Sequence, residues 1–183
     1  MGVIYNRRMP RRPVVAIVGS GRDIEPAVSN ACELGRLIAE NGWVLITGGR
    51  CAGVMEAANQ GAKEIDRSLT IGILPDRNAD VSPSVDVAIV TDMGQARNNV
   101  IVLSADVIVA CGVDGPGTTS EVALAIKSKK PVVLLGASAD AKRFFEKLGE
   151  GNVHVADSPG QAIILATRAL ELMLARPERR IIK

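Results

Sequence analysis

Val107-Ile108-Val109-Ala110-Cys111 runs straight into Gly112-Val113-Asp114-Gly115-Pro116-Gly117-Thr118-Thr119-Ser120-Glu121, and this stretch decides the fold. The first five residues are apolar and largely β-branched, with no polar alternation. That is the pattern of a parallel strand buried on both faces. The glycines then stop the strand, and an amphipathic run over residues 118–129 reads as a helix. Working outward, the same strand–turn–helix unit repeats. Strands are expected at Val14–Val18, Trp43–Thr47, Thr70–Leu74, Val85–Val90, Pro131–Leu135 and Val153–Val155. Helices are expected over about 25–41, 53–66, 95–105, 139–148 and 159–175. Pro26 fits a first helical turn, Gly42 stops the first helix and Pro177 ends the last. Residues 75–84, with Pro75, Asp76, Asn78 and Pro83, read as a loop. Such alternation gives right-handed βαβ crossovers, hence an α/β fold with a doubly wound, mostly parallel sheet of about seven strands and helices on both faces.

The chain has 183 residues, one domain by size. We divide it into a basic tail (1–12), a single ligand-binding domain (13–176) and a C-terminal tail (177–183). The composition, 47% hydrophobic and 23% charged, is that of a globular protein. Aromatic residues make up only 2%, which argues against nucleic-acid binding on stacking platforms. Of 22 basic residues, four (Arg7, Arg8, Arg11 and Arg12) lie in the first twelve positions. The remaining 18 face 20 acidic ones, so no basic face is implied. No apolar run suits a membrane span or a signal peptide, and a cytoplasmic location is expected. Cys32, Cys51 and Cys111 form no metal-binding spacing, and His154 is the one histidine. Structural zinc and Ser-His-Asp or Cys-His hydrolysis are thereby excluded as readings. His154 is assigned a structural place in its strand, and Cys51 a packing role. Phe144 and Phe145 are expected to pack on the sheet. The last helix has more apolar surface than one sheet contact needs, which suggests subunit packing.

In a Rossmann-like sheet of this kind, ligands bind beyond the carboxyl ends of the strands. Four segments there stand out. Gly19-Ser20-Gly21 begins like a dinucleotide fingerprint, but Ile24 takes the third glycine's place, and no acidic residue ends the second strand; NAD binding is set aside. Thr47-Gly48-Gly49-Arg50-Cys51-Ala52-Gly53 joins a strand to a helix start, an anion-binding arrangement with Arg50 alongside. It lacks the GK[ST] of a Walker A loop. Arg97 and Asn98 open the helix after the fourth strand. Gly115, Gly117, Thr118 and Thr119 supply amides and hydroxyls suited to phosphate. Glu121 sits a turn further on, where it is either a ligand-facing carboxylate or the second half of a capping box begun by Thr118. No lysine lies in these segments, which counts against pyridoxal-dependent decarboxylation.

Together these segments resemble the LONELY GUY, or lysine decarboxylase-like, family. The matches are Gly48-Gly49 through Glu56, and Gly115-Pro116-Gly117-Thr118-Thr119-Ser120-Glu121. The resemblance implies cleavage of nucleoside 5′-monophosphates to base and ribose 5-phosphate, with Arg97 and Glu121 as the catalytic pair. The chain departs from those enzymes at Val113-Asp114, at Gly94 and at Asn98, which stands where they carry a lysine. Within the same superfamily it is similar to the molybdenum cofactor carrier proteins from Val14 to about Leu170. That likeness includes Leu45-Ile46-Thr47-Gly48-Gly49-Arg50, Gly53-Val54-Met55, Gly72-Ile73-Leu74-Pro75, Ala96-Arg97 and Lys129-Lys130-Pro131.

The second resemblance implies a homo-oligomer, a tetramer favoured over a dimer, that binds molybdopterin-type cofactor without converting it. The phosphate would rest on the 115–119 turn, with Gly19, Ser20, Gly48, Gly49 and Gly53 opposite. Arg50, Arg97 and Asn98 would face the ligand, and a carboxylate, Glu121 or Asp114, could accept from amino and ring N–H groups. No protein metal ligand is needed, because the pterin carries the metal. Two alternatives stay open: a phosphoribohydrolase, and a sensor that binds a phosphorylated nucleotide without turnover.

Overall fold

The structure is a computed structural model and describes residues 11–175. Arg7, Arg8 and the expected stop at Pro177 lie outside the described residues. Element order is β1 (Val14–Gly19), α1 (Ala27–Glu40), β2 (Val44–Thr47), α2 (Gly53–Lys63), β3 (Leu69–Leu74), β4 (Val87–Val90), a 3-10 turn (Gly94–Arg97), α3 (Asn98–Ser104), β5 (Val107–Cys111), α4 (Pro116–Lys127), β6 (Val132–Leu135), α5 (Ala139–Gly149), β7 (Val153–Ala156) and α6 (Pro159–Ala175). The seven strands form one sheet in the order β4-β3-β2-β1-β5-β6-β7, and every pairing is parallel. The order reverses between β1 and β5.

Successive strand residues face opposite layers, as the strand period requires. Val15 and Ile17 of β1 join Leu45, Val107, Val109 and Val133 beneath α1, α2 and α6. Ala16 and Val18 join Ile46, Ile108, Ala110 and Leu134 beneath α3, α4 and α5. Small residues allow close layers, most of all between α1 and α2. A Cβ on Gly35 would lie 1.9 Å from the Ala58 carbonyl oxygen, and one on Gly61 would lie 1.8 Å from that of Cys32. The two helices therefore touch backbone to backbone at two reciprocal points.

Several expectations need correction. β4 is apolar but exposed at all four residues, because it is an edge strand that neither core cluster reaches. The helix expected over 95–105 is a 3-10 turn followed by a short α-helix. Phe145 is buried, but Phe144 points outward and is 60% exposed. Cys51 is exposed instead of packed. Two arginines assigned to the tail are anchored to the fold. Arg11 Nη1 and Nη2 donate to the Asp106 carboxylate at 2.8 and 2.5 Å, and Arg12 Nε donates to the Gly42 carbonyl at 2.6 Å. Among the described residues no helix is long and apolar enough to cross a membrane.

Candidate functional site

A cavity of about 440 Å³ opens at the carboxyl ends of β1 and β5, where the strand order reverses. This is the position at which doubly wound sheets hold ligands, and the volume lies in the range of small-molecule sites. Residues following five strands border it. The loop after β1 contributes Gly19 to Arg22, and the loop after β2 contributes Gly48 and Arg50. Gln95, Arg97 and Asn98 follow β4, and Gly115 to Thr118 with Glu121 follow β5. Met55 of α2, Pro75 after β3, and Ile17 and Val18 of β1 complete the lining.

Of the residues expected from the sequence, Gly19, Ser20, Gly48, Arg50, Arg97, Asn98, Gly115, Gly117, Thr118 and Glu121 line this cavity. Gly49, Gly53 and Thr119 are not among its lining residues. Gly49 faces β3, where a Cβ would meet Gly72 Cα at 2.7 Å, and it has φ of +69°. Gly53 presses against the β1 loop, its absent Cβ 2.3 Å from the Ser20 carbonyl oxygen. Thr119 is exposed, and its amide bonds the Gly115 carbonyl at 3.1 Å.

The two helix starts differ in which amides the fold itself uses. At α2 the Val54 amide donates to the Ser20 carbonyl at 3.0 Å, Cys51 N–H to Asp80 and Gly49 N–H to the Thr47 hydroxyl. Those donors are consumed within the fold. At α4 the N-cap is Gly115, so Thr118 is already the third helical residue and Glu121 the sixth. The capping-box reading of Thr118 and Glu121 therefore fails, and no side chain caps this helix. The Gly117 and Thr118 amides have no partner among the described residues, as is usual for a first helical turn. They border the cavity. A Cβ on Gly115 or Gly117 would meet nothing within 4 Å. Internal packing demands no glycine there, whereas a ligand resting on the backbone would.

Arg97 and Glu121 face each other inside the cavity. Their side chains are 9% and 8% exposed, with Arg97 Nη1 3.9 Å from Glu121 Oε1. That separation is too long for a hydrogen bond. Arg97 Nε and Asn98 Oδ1 are buried without a partner among the described residues. Burial pushes the Glu121 carboxyl up to about 7, against the pull of Arg97. Burial likewise lowers the Arg97 pKa; Glu121 opposes that, and the charge of Arg50 adds to it. Gly48 supports the guanidinium: a Cβ there would lie 2.7 Å from Arg97 Nη1. The charged lining is Arg22, Arg50 and Arg97 against Glu121 alone, so the cavity favours an anion.

Sequence reading missed Arg22, Met55, Pro75 and Gln95. Arg22 directly follows Gly19-Ser20-Gly21, and its amide donates to the Ser20 hydroxyl at 3.0 Å. A cation one step beyond a strand-end glycine turn was the available signal. Gln95 and Met55 gave none, since each belongs to a helical run whose facing side depends on where the helix starts.

Fold and cavity together define a doubly wound α/β protein with a cationic crevice at its topological switch point. Residues 12–163 match the SLOG cluster4 family, and the chain belongs to that family. The molybdenum cofactor binding protein from the phototrophic bacterium Rippkaea orientalis is 49% identical. The match covers 87% of this chain and 98% of that one, with a TM-score of 0.84. The molybdenum cofactor carrier protein of Chlamydomonas reinhardtii is 47% identical over 88% of this chain and 99% of its own, again with a TM-score of 0.84. An uncharacterized protein of Archaeoglobus fulgidus is 43% identical over 121 residues, 66% of this chain and 78% of that one.

Proposed function

We propose that this chain binds molybdenum cofactor, or a closely related phosphorylated pterin, in the switch-point cavity and releases it unchanged. The observation that carries the reading is the cationic cavity itself, in a chain nearly half identical along most of its length to proteins that bind this cofactor. The residues suit such cargo. The Gly117 and Thr118 amides are open donors for a phosphate at a helix N-terminus. Arg97, which lines the cavity, can neutralise a second anionic group through charge-assisted hydrogen bonds. Glu121 can accept from ring N–H groups when ionised, or donate when protonated. No protein metal ligand is required.

The test is to purify the protein from a host that makes the cofactor, oxidise the extract and measure pterin fluorescence. Near-stoichiometric pterin is expected, with loss of at least tenfold in affinity for Arg97→Ala. Absence of pterin from the wild-type protein would sink the reading.

One observation favours a second reading. Arg97 and Glu121 meet in the cavity, and a carboxyl titrating near 7 is suited to proton transfer at neutral pH. In a phosphoribohydrolase, Arg97 would position the nucleotide and Glu121 would orient water or stabilise charge on the ribose. Release of adenine from AMP, abolished by Glu121→Gln, would support it.

A further inference from the structure

Arg97 is buried at the cavity wall, yet among the described residues its side chain donates no hydrogen bond. Its one ion-pair neighbour, Glu121 Oε1, stands 3.9 Å away. A buried guanidinium is ordinarily fixed by hydrogen bonds to carboxylates or carbonyls. Here packing has to hold it, and the packing converges on Gly48.

A Cβ on Gly48 would lie 2.6 Å from Met55 Sδ, 2.7 Å from Arg97 Nη1 and 2.8 Å from Arg97 Nη2. The thioether and the guanidinium therefore lie side by side over the bare glycine. Gly48 is buried and has no left-handed backbone, so its conformation does not call for glycine. Backbone contact does not call for it either. At Gly49, Gly53 and Gly61 a Cβ would run into backbone, and at Gly19 into Val54 and the Cys111 carbonyl. At Gly48 it would meet only the far ends of two flexible side chains. The missing methyl is room kept for Arg97 and Met55.

Met55 closes the side of this seat. It is the third residue of α2, whose start is tied to the β1 loop by the Val54 amide donating to the Ser20 carbonyl at 3.0 Å. Its side chain is buried, and its Cε lies 3.6 Å from where a Cβ on Gly21 would be. The thioether thus spans from the Gly21 loop to Arg97, filling an irregular gap as methionine does.

We propose that Gly48 and Met55 are positioning residues: they seat the Arg97 guanidinium by shape alone, opposite Glu121, with its Nη donors uncommitted and ready for an anionic group of the ligand. The ligand half of this rests on the pterin-carrier reading above. An arginine held by hydrogen bonds would have to surrender partners to take cargo, whereas one held by packing keeps its place and its donors.

The test follows Glu121 and needs no ligand. Arg97 is the charge that pulls its carboxyl down, and Arg22 and Arg50 are the other charges on the cavity lining. Carboxyl-carbon NMR of the ligand-free protein gives the Glu121 titration in wild type, Gly48→Ala, Met55→Ala, Met55→Leu and Arg97→Ala. Gly48→Ala and Met55→Ala should each move the titration to higher pH, the direction expected of Arg97→Ala. Neither should move it further when combined with Arg97→Ala. Met55→Leu, which conserves volume, should restore the wild-type titration. Gly48→Ala should keep a Tm near wild type, since only side-chain ends have to shift. Phosphorylated pterin should bind Gly48→Ala about tenfold more weakly, the worth of a hydrogen bond to a charged group. A Glu121 titration unmoved or lowered in Gly48→Ala or Met55→Ala overturns the proposal. So does an undiminished shift in the Arg97→Ala background, which would assign both residues to packing around Glu121 itself. A Tm loss in Gly48→Ala as large as in Gly61→Ala would make Gly48 structural and also overturn it. If wild type binds no pterin, the carrier reading fails and the titration still decides the seat.

Discussion

Replacing Glu121 by glutamine should stabilise the ligand-free protein, and the gain should depend on pH. The carboxyl is raised from 4.5 to about 7, chiefly by burial. At 1.36 kcal/mol per pKa unit, holding it ionised in the fold costs about 3 kcal/mol. The attraction of Arg97 at 3.9 Å is already inside that figure, since it pulls the carboxyl down from where burial alone would put it. The sign follows from linkage. In the unfolded chain the group titrates near 4.5, and in the fold near 7. Below 4.5 both states are protonated and nothing is lost. Between these values the unfolded chain releases its proton first, and stability falls as pH rises through 7. Glu121→Gln is isosteric and never ionises, so it avoids the loss. Thermal and urea unfolding of ligand-free wild type and variant at pH 5 and pH 8 is the assay. The variant should exceed wild type by about 3 kcal/mol at pH 8, roughly 6–12 °C in Tm for a domain of this size. At pH 5 the difference should shrink to about 1 kcal/mol or less. A variant no more stable than wild type at pH 8, or a gain independent of pH, would refute the burial argument.

The same carboxyl should couple ligand binding to protons. An anionic ligand favours neutral Glu121, so binding near pH 7 should take up a proton, read by calorimetry in buffers of different ionisation heat, and Glu121→Gln should abolish that uptake. Gly117→Ala meets no protein atom within 4 Å. It should leave Tm unchanged while weakening a phosphorylated ligand at least tenfold by equilibrium binding. Gly61→Ala would put a methyl 1.8 Å from the Cys32 carbonyl oxygen. It should cost about 3 kcal/mol in urea unfolding, with the damage centred on α1 and α2.

The strands were legible because their apolar runs are continuous, and β5 matches its expected limits, Val107–Cys111, at both ends. Burial was less legible. β4 reads like a central strand, and only strand order, a long-range property, makes it an edge. At the site, Arg97 and Glu121 were each readable as ligand-facing from the segments that carry them, and the resemblance to the LONELY GUY family paired them. The glycines were readable as a set but not by role. Gly48, Gly115 and Gly117 border the cavity, while Gly49 and Gly53 serve backbone contacts with β3 and the β1 loop. Nothing local in the sequence separates these cases. The α2 helix start also looked as suitable for an anion as that of α4. There one amide is taken by a partner that no local reading supplies: the Ser20 carbonyl, 34 residues away in sequence, accepts from the Val54 amide.

The glycine contacts between α1 and α2 have a mechanical consequence. With backbone against backbone at Gly35 and Gly61, the pair has no layer of side chains on which to shear. Ser20 and Gly53 weld the loops leading into them in the same way. The β1 and β2 walls of the crevice thus form a single fixed jaw. Any change in the width of the crevice therefore falls on the walls after β4 and β5, and in the latter Gly115 and Gly117 have free space around them.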